Sequence, residues 1–255
     1  MPYIYIDGPE SISVHGKQCL FNAPPPHPCE LLEIGTYLGR TISAAYIDSN
    51  TNKYESVNFR NANLTVDNHN LIKLIYKAIA LRKFVIEHKY SPFDGNLTKL
   101  TKSQGTPYRN DTQGIEIYPI LQPVTITLVL DPSGRCLLVN NNEWDDKIFA
   151  PVSGFVETGE SLEDCAIREV FEETGINISE CSYQTSSHWP HPNILTVGFI
   201  AHTEGSLQLL PQKEELSSAK WFTKNEYKRK ALSGTLKRPP SSSVASTLLQ
   251  TWLNS

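Results

Sequence analysis

Between Gly154 and Gly175 the chain carries seven carboxylates, and Glu169, Glu172 and Glu173 stand at i, i+3 and i+4. On a helix that spacing puts all three on one face, about a turn apart. Like charges so placed repel, at roughly a few tenths of a kcal/mol per pair. Crowded carboxylates also acquire raised pKa values unless a cation sits among them. Their oxygens suit a hard divalent ion, Mg²⁺ or Mn²⁺, which would turn repulsion into binding. A solvated acidic face is the commoner meaning of a Glu-rich helix, and here the spacing weighs against it.

The elements around the acids are arranged to hold them. Ser161 followed by Asp164 gives an N-cap with an acid three positions on, and Gly175 supplies the stop. Ala166, Ile167, Val170 and Phe171 are expected to cover the opposite side and dock on a sheet. The runs "TITLVL", "CLLVN" and "ILTVGFIAH" read as strands, and "SSSVASTLLQTWL" as a last helix. Strands with a central and a terminal helix predict an α/β sandwich on a mixed sheet.

Upstream, "LLEIGTYLGRTISAAYID" reads as two strands around a turn at Gly39. Leu71, Leu74, Ile75, Ala78, Leu81 and Val85 recur at helical spacing. Residues 89–117 turn polar and irregular, and a new strand pattern opens near residue 120. The expected organisation is a smaller α+β N-terminal domain over residues 1–86, an irregular segment over 87–117, and the sandwich over 118–255.

Formal charge is nearly balanced, with 23 Lys+Arg against 27 Asp+Glu, which excludes general attraction to nucleic acid or anionic membrane. Cys19, Cys29, Cys136, Cys165 and Cys181 are scattered and never form a C-x-x-C pair. Reduced thiols in an intracellular compartment fit that usage better than a disulfide framework. The N-terminus has no basic start followed by an apolar core, and no apolar run reaches a membrane span, so the expected location is the cytoplasm.

The acidic stretch resembles the Nudix box, G-x5-E-x7-R-E-U-x-E-E-x-G-U, where U is aliphatic. Gly154, Glu160, Arg168, Glu169, Val170, Glu172, Glu173, Gly175 and Ile176 fill every fixed position. The resemblance implies a Nudix α/β/α sandwich whose loop–helix–loop binds divalent metal and cuts a diphosphate. Metals would neutralise phosphoryl oxygens and acidify water, while a spare carboxylate orients that water or takes its proton. It further implies Glu169 and Glu173 as ligands, Glu172 as ligand or general base, and Arg168 as the residue that orients the acids. The Ser153 carbonyl and Glu215 match further metal ligands of relatives.

Ten residues beyond the box, "SSHWPHPNIL" is similar to the S-Q-P-W-P-F-P array of the NADH diphosphatase branch. Ser186, Trp189, Pro190 and Pro192 match, while Ser187, His188 and His191 replace Gln, Pro and Phe. A Trp braced by prolines makes a flat platform for a base or pyridine ring. The same resemblance implies that Phe155, Trp189, Tyr118, Ser187 and Ala245 contact substrate and that the chain forms a homodimer. One departure stands out: where the branch carries two C-x-x-C pairs, this chain has Ser91, Asp94, Asn110 and Gln113. A structural zinc site needs four soft or borderline ligands, so no zinc is expected. That segment must then be held by hydrogen bonds and packing, or be mobile.

The function implied is metal-dependent cleavage of NADH or NAD to NMN(H) and AMP, with NAD-capped RNA as a further candidate substrate. Rivals are a Nudix hydrolase for another dinucleotide such as ADP-ribose, and a nucleotide-binding regulatory module with little turnover. The complete box argues against the last.

Overall fold

The computed structural model describes all residues except 9, 26, 59–67, 104–105, 189–192 and 242. Two compact units result: Met1–Leu121 belong to the first, Gln122–Trp189 and Ile194–Ser255 to the second.

In the first unit, β1 (Tyr3–Gly8), β2 (Ser11–Val14), β3 (Glu30–Tyr37), β4 (Arg40–Tyr46) and β5 (Glu55–Asn58) form a sheet in the order β3-β4-β1-β2-β5. Only the β1–β4 pairing is parallel among these described strands. Helix α1 (His69–Glu87) starts at Asn68, whose side chain accepts the N–H groups of Asn70 and Leu71. It lays Leu71, Ile75, Ala78, Phe84 and Val85 on the sheet. The apolar spacing read from the sequence is the face that is buried.

Residues 89–117 correct the sequence reading, which saw only irregular chain. They contain β6 (Lys99–Ser103), β7 (Thr106–Asn110) and β8 (Glu116–Ile117), an antiparallel sheet in that order. These strands are short and polar and lack a clean apolar alternation, so pairing rather than burial defines them.

The second unit is built on β9 (Gln122–Leu130), β10 (Cys136–Asn141), β11 (Val152–Phe155), β12 (Cys181–His188), β13 (Ile194–His202) and β14 (Leu216–Phe222). The order is β12-β13-β9-β10-β14, with β11 paired to β9 off that path. The pairing of β13 with β9 is parallel and the others antiparallel, so the sheet is mixed. Alternation sorts its side chains to two faces. Leu128, Leu138 and Phe222 pack with Tyr227 of α3 (Lys224–Leu232) and with Val244, Leu248 and Trp252 of α4 (Val244–Asn254). Val129, Leu137, Val139 and Val152 pack with Val170 of α2 (Leu162–Thr174). Helices on both faces of one sheet make this an α/β/α sandwich. Strand β12 and helix α3 lie in stretches too polar for apolar periodicity to announce them.

Among the described residues no helix is long and apolar enough to cross a membrane.

Candidate active site

The acidic helix forms for local reasons. The Ser161 hydroxyl oxygen accepts the Asp164 N–H at 3.0 Å, and the Asp164 carboxylate accepts the Ser161 N–H at 3.3 Å, closing a capping box. At the other end Gly175 adopts φ 71° and donates its N–H to the Phe171 carbonyl at 2.8 Å. A side chain at that left-handed position would be strained. Cys165, Ala166, Val170, Glu173 and Thr174 are buried. Burying Val170 completely is worth about 1.5–3 kcal/mol. Phe171, expected on that face, is instead 53% exposed. It follows Val170 by one residue, about 100° around the helix, which carries it off the sheet.

Helix α2 presents the acids beneath the end of β11. Gly154 lies so close to Glu169 that a Cβ there would overlap the Glu169 carboxyl, so a larger residue would push this acid out of its present place. Arg168 gathers the rest. Its Nη2 and Nε donate to the two oxygens of Glu160 at 2.6 and 3.0 Å. Its Nη1 donates to Glu169 Oε1 at 2.8 Å and Glu172 Oε2 at 2.9 Å. Nη2 also donates to the Phe155 carbonyl at 3.0 Å, tying helix to loop. Arg168 and the Glu157 N–H hold Glu160 down at about 2.

Glu173 is in the opposite state. It is 4% exposed, and its Oε2 is buried without a hydrogen-bond partner. Burial, then the charges of Glu169 and Glu215, push it up to about 8, while the Ser153 N–H pulls the other way. Glu169 is raised too: its burial outweighs the ion pair with Arg168, and Glu172 and Glu215 add to the rise. Glu215 reaches this neighbourhood from the loop before β14. The N–H groups of Leu210 and Gln212 donate to the Thr174 and Glu173 carbonyls at 2.8 and 3.0 Å, and the Asn142 N–H holds the Glu215 carbonyl at 2.9 Å.

These acids are brought together, yet among the described residues no cluster of three or more His, Cys, Asp or Glu is closed into a cage. Glu169 and Glu172 turn toward Arg168 instead. The donor set still fits a hard divalent cation. A buried carboxylate oxygen lacks a partner, its neighbours are anionic, and all donors are oxygens. Zinc in the first unit is a different matter: Ser91, Asp94, Asn110 and Gln113 offer no thiolate or imidazole, so that donor set does not fit it.

The remaining candidates are dispersed. Ser153 is exposed on β11, and Phe155 follows it with its ring 53% exposed. Ser187 lies on β12, where its carbonyl accepts the Thr196 hydroxyl at 2.8 Å. Ala245 is buried in the first turn of α4. Tyr118 belongs to the first unit, stacks on Tyr108 at 5.5 Å and donates to Glu116 at 2.5 Å. Trp189, with Pro190, His191 and Pro192, lies outside the described residues.

Two supporting residues escaped the sequence reading. The buried Cys165 thiol sits 3.4 Å from the Phe155 carbonyl and 3.3 Å from the Thr125 hydroxyl, bracing the loop from below. Asn142 Nδ2 donates to the Lys213 carbonyl at 3.0 Å, pinning the loop that carries Glu215. Neither residue type carries a spacing that would have singled it out.

A glycine-bounded helix presenting arginine-ordered acids at the end of a strand of a mixed sandwich defines the Nudix class, and residues 120–240 match the NUDIX domain. This part of the chain is thus a Nudix domain. It is 32% identical over 188 residues to a NAD-capped RNA hydrolase, NudC, of Mycobacterium tuberculosis, covering 71% of this chain and 60% of that protein. It is 30% identical over 178 residues to the human NAD-capped RNA hydrolase NUDT12, covering 65% of this chain and 38% of that protein. The chain thus spans less than two thirds of the length of these relatives. A solved NUDIX hydrolase from Nitrosomonas europaea aligns with a TM-score of 0.45 at 20% identity, covering 54% of this chain and 79% of that one.

Proposed function

We propose that this protein hydrolyses the diphosphate bond of NADH and NAD, releasing NMN(H) and AMP, and that NAD-capped RNA is a second substrate of the same site. The observation that carries the reading is the frustrated acid cluster: partnerless Glu173 with Glu169 and Glu215, beside exposed Phe155. The similarity to NAD-capped RNA hydrolases supports the choice of dinucleotide.

Glu169, Glu173, Glu215 and the Ser153 carbonyl would hold Mg²⁺ or Mn²⁺, which when bound screens the phosphoryl oxygens and acidifies water. Arg168 keeps Glu160, Glu169 and Glu172 in register. Glu172, more exposed than Glu169 and Glu173, serves as a further ligand or as the base that receives the proton of the attacking water. That water's oxygen bonds to one phosphorus as the bridging P–O bond breaks, and the displaced phosphate leaves with its nucleoside. Phe155 and Trp189 stack the rings, while Ser187 and Ala245 contact the nucleotide. The working form is a cytoplasmic homodimer.

The test is to incubate the purified chain with NADH, NAD, ADP-ribose and NAD-capped RNA in Mg²⁺ or Mn²⁺ and to identify products by chromatography. AMP and NMNH from NADH, lost in Glu173→Gln, are expected. Cleavage of ADP-ribose alone, or tight binding of NADH without cleavage, would overturn the reading.

A further inference from the structure

Two turns of the first unit face each other and are bonded side chain to side chain. The first, Ser91 to Asn96, is closed by Ser91 N–H to the Asn96 carbonyl at 2.8 Å and Gly95 N–H to the Ser91 carbonyl at 3.0 Å. The second, Asp111 to Ile115, is closed by Asp111 N–H to the Ile115 carbonyl at 3.1 Å and Gly114 N–H to the Asp111 carbonyl at 3.2 Å. Each turn is organised by its own carboxylate. Asp94 Oδ1 accepts the Asn96 N–H at 2.9 Å, and Asp111 Oδ1 accepts the N–H groups of Gln113 and Ile115 at 2.9 and 2.8 Å.

The other oxygen of each carboxylate crosses to the opposite turn. Asp111 Oδ2 accepts the Ser91 hydroxyl at 3.4 Å, and Asp94 Oδ2 accepts the Thr112 hydroxyl at 2.5 Å. Ser91 and Asp111 are 4% and 7% exposed, so the crossing is shielded from water on the Asp111 side. Below it, Arg109 Nη2 donates to the Val85 carbonyl at 2.5 Å and Nη1 to the Thr98 hydroxyl at 3.2 Å, fastening the turns to the end of α1. At the four positions where the sequence lacks cysteine, Asn110 Oδ1 is the buried side-chain oxygen without a partner among the described residues. One neutral carbonyl oxygen is no tetrahedral site.

The geometry points to a reciprocal carboxylate–hydroxyl clamp, Ser91–Asp111 and Thr112–Asp94, that does for this ribbon what a structural metal ion would otherwise do. Each turn contributes one carboxylate and one hydroxyl, so the lock is complete with protein groups alone. Buried polar groups matched in this way rigidify a segment, and removing one strands its partner. The inference is independent of the catalytic reading, since it concerns the folding of residues 88–117 and not turnover.

The test uses the full chain. Metal content is measured by mass spectrometry, and amide hydrogen exchange is followed at Gly95, Asn96, Gln113 and Ile115 with a zinc-selective chelator, with added zinc, and with neither. Zinc well below one per chain is expected, and exchange unchanged within about twofold by chelator or zinc. Asp111→Ala should speed exchange at Gln113 and Ile115 by about tenfold or more, and Thr112→Val should speed it at Asn96 by a few-fold. Stoichiometric zinc whose removal frees these amides would overturn the clamp, as would parental exchange in Asp111→Ala. Should Asp111→Ala not fold, Thr112→Val decides, because parental exchange at Asn96 overturns the clamp and faster exchange confined to the two turns supports it.

Discussion

The acids of helix α2 and those of the ribbon turns are the same chemistry in opposite conditions. Asp94 has its hydrogen bonds satisfied by Thr112 and Asn96, which hold it at about 2. Glu173 is buried among other acids, one oxygen has no partner, and it stands at about 8. A carboxylate saturated by donors has no use for a cation, whereas one left frustrated is completed by it. Acid content alone therefore does not mark a metal site; what the neighbours leave unsatisfied does.

Neutralising the frustrated acid is the strongest way to break the contrast. Glu173→Gln should lower hydrolysis by about 10²- to 10⁴-fold. It should also raise the melting temperature of the metal-free protein by a few degrees, because a carboxyl that ionises freely in the unfolded chain no longer has to be buried among other acids. Loss of activity together with a lower melting temperature in the absence of metal would mean that Glu173 is a structural group.

Adding the cation is the next largest effect. Mg²⁺ or Mn²⁺ at about a hundred times its Kd should stabilise the chain by about 2.7 kcal/mol. Differential scanning fluorimetry with and without the ion reads this, and Glu173→Gln should lose most of the gain.

The two regions should also respond to pH with opposite sign. Glu173 is raised from 4.5 to about 8, so in the metal-free protein its contribution is favourable below 4.5 and is lost as pH rises to about 8. Asp94 is lowered from 3.8 to about 2, so its contribution is present above 3.8 and is lost as pH falls to about 2. Denaturation of the metal-free chain should thus become easier from pH 4.5 to 8. Turn exchange at Asn96 should accelerate, beyond the intrinsic pH dependence of exchange, only below about pH 3.8. A stability curve flat between pH 4.5 and 8 would remove the frustration on which the site's reading rests.

How much of this was legible depended on whether the signal was local. The capping pair Ser161 and Asp164, the stop at Gly175, the runs that became β9, β10 and β13, and the α1 face through Leu71, Ile75 and Ala78 are set by neighbours within a few residues. Phe171 misled because its apolarity says nothing of its angle on the helix. The ribbon misled because its order comes from Asp111 reaching back to Ser91, twenty positions away, through polar residues that also suit loops. At the site, the spacing of Glu169, Glu172 and Glu173 was visible. That burial would single out Glu173 was not, since it depends on β11 and on the loop of Leu210 and Gln212 closing over the helix.

That loop offers the smallest and most selective perturbation. Asn142 grips it through its backbone N–H to Glu215 and its side-chain amide to the Lys213 carbonyl. Asn142→Ala removes only the second bond. The fold should lose no more than about 0.5 kcal/mol, as for other exposed substitutions. The freed loop lets Glu215 wander from Glu169 and Glu173, so Mn²⁺ should bind about three- to tenfold more weakly. The free-manganese signal in electron paramagnetic resonance measures that directly, and activity should return when the ion is raised to saturation. An unchanged manganese titration would show that Glu215 keeps its place without the Asn142 side chain, through the backbone bonds from Asn142 to Glu215 and from Gln212 to Glu173.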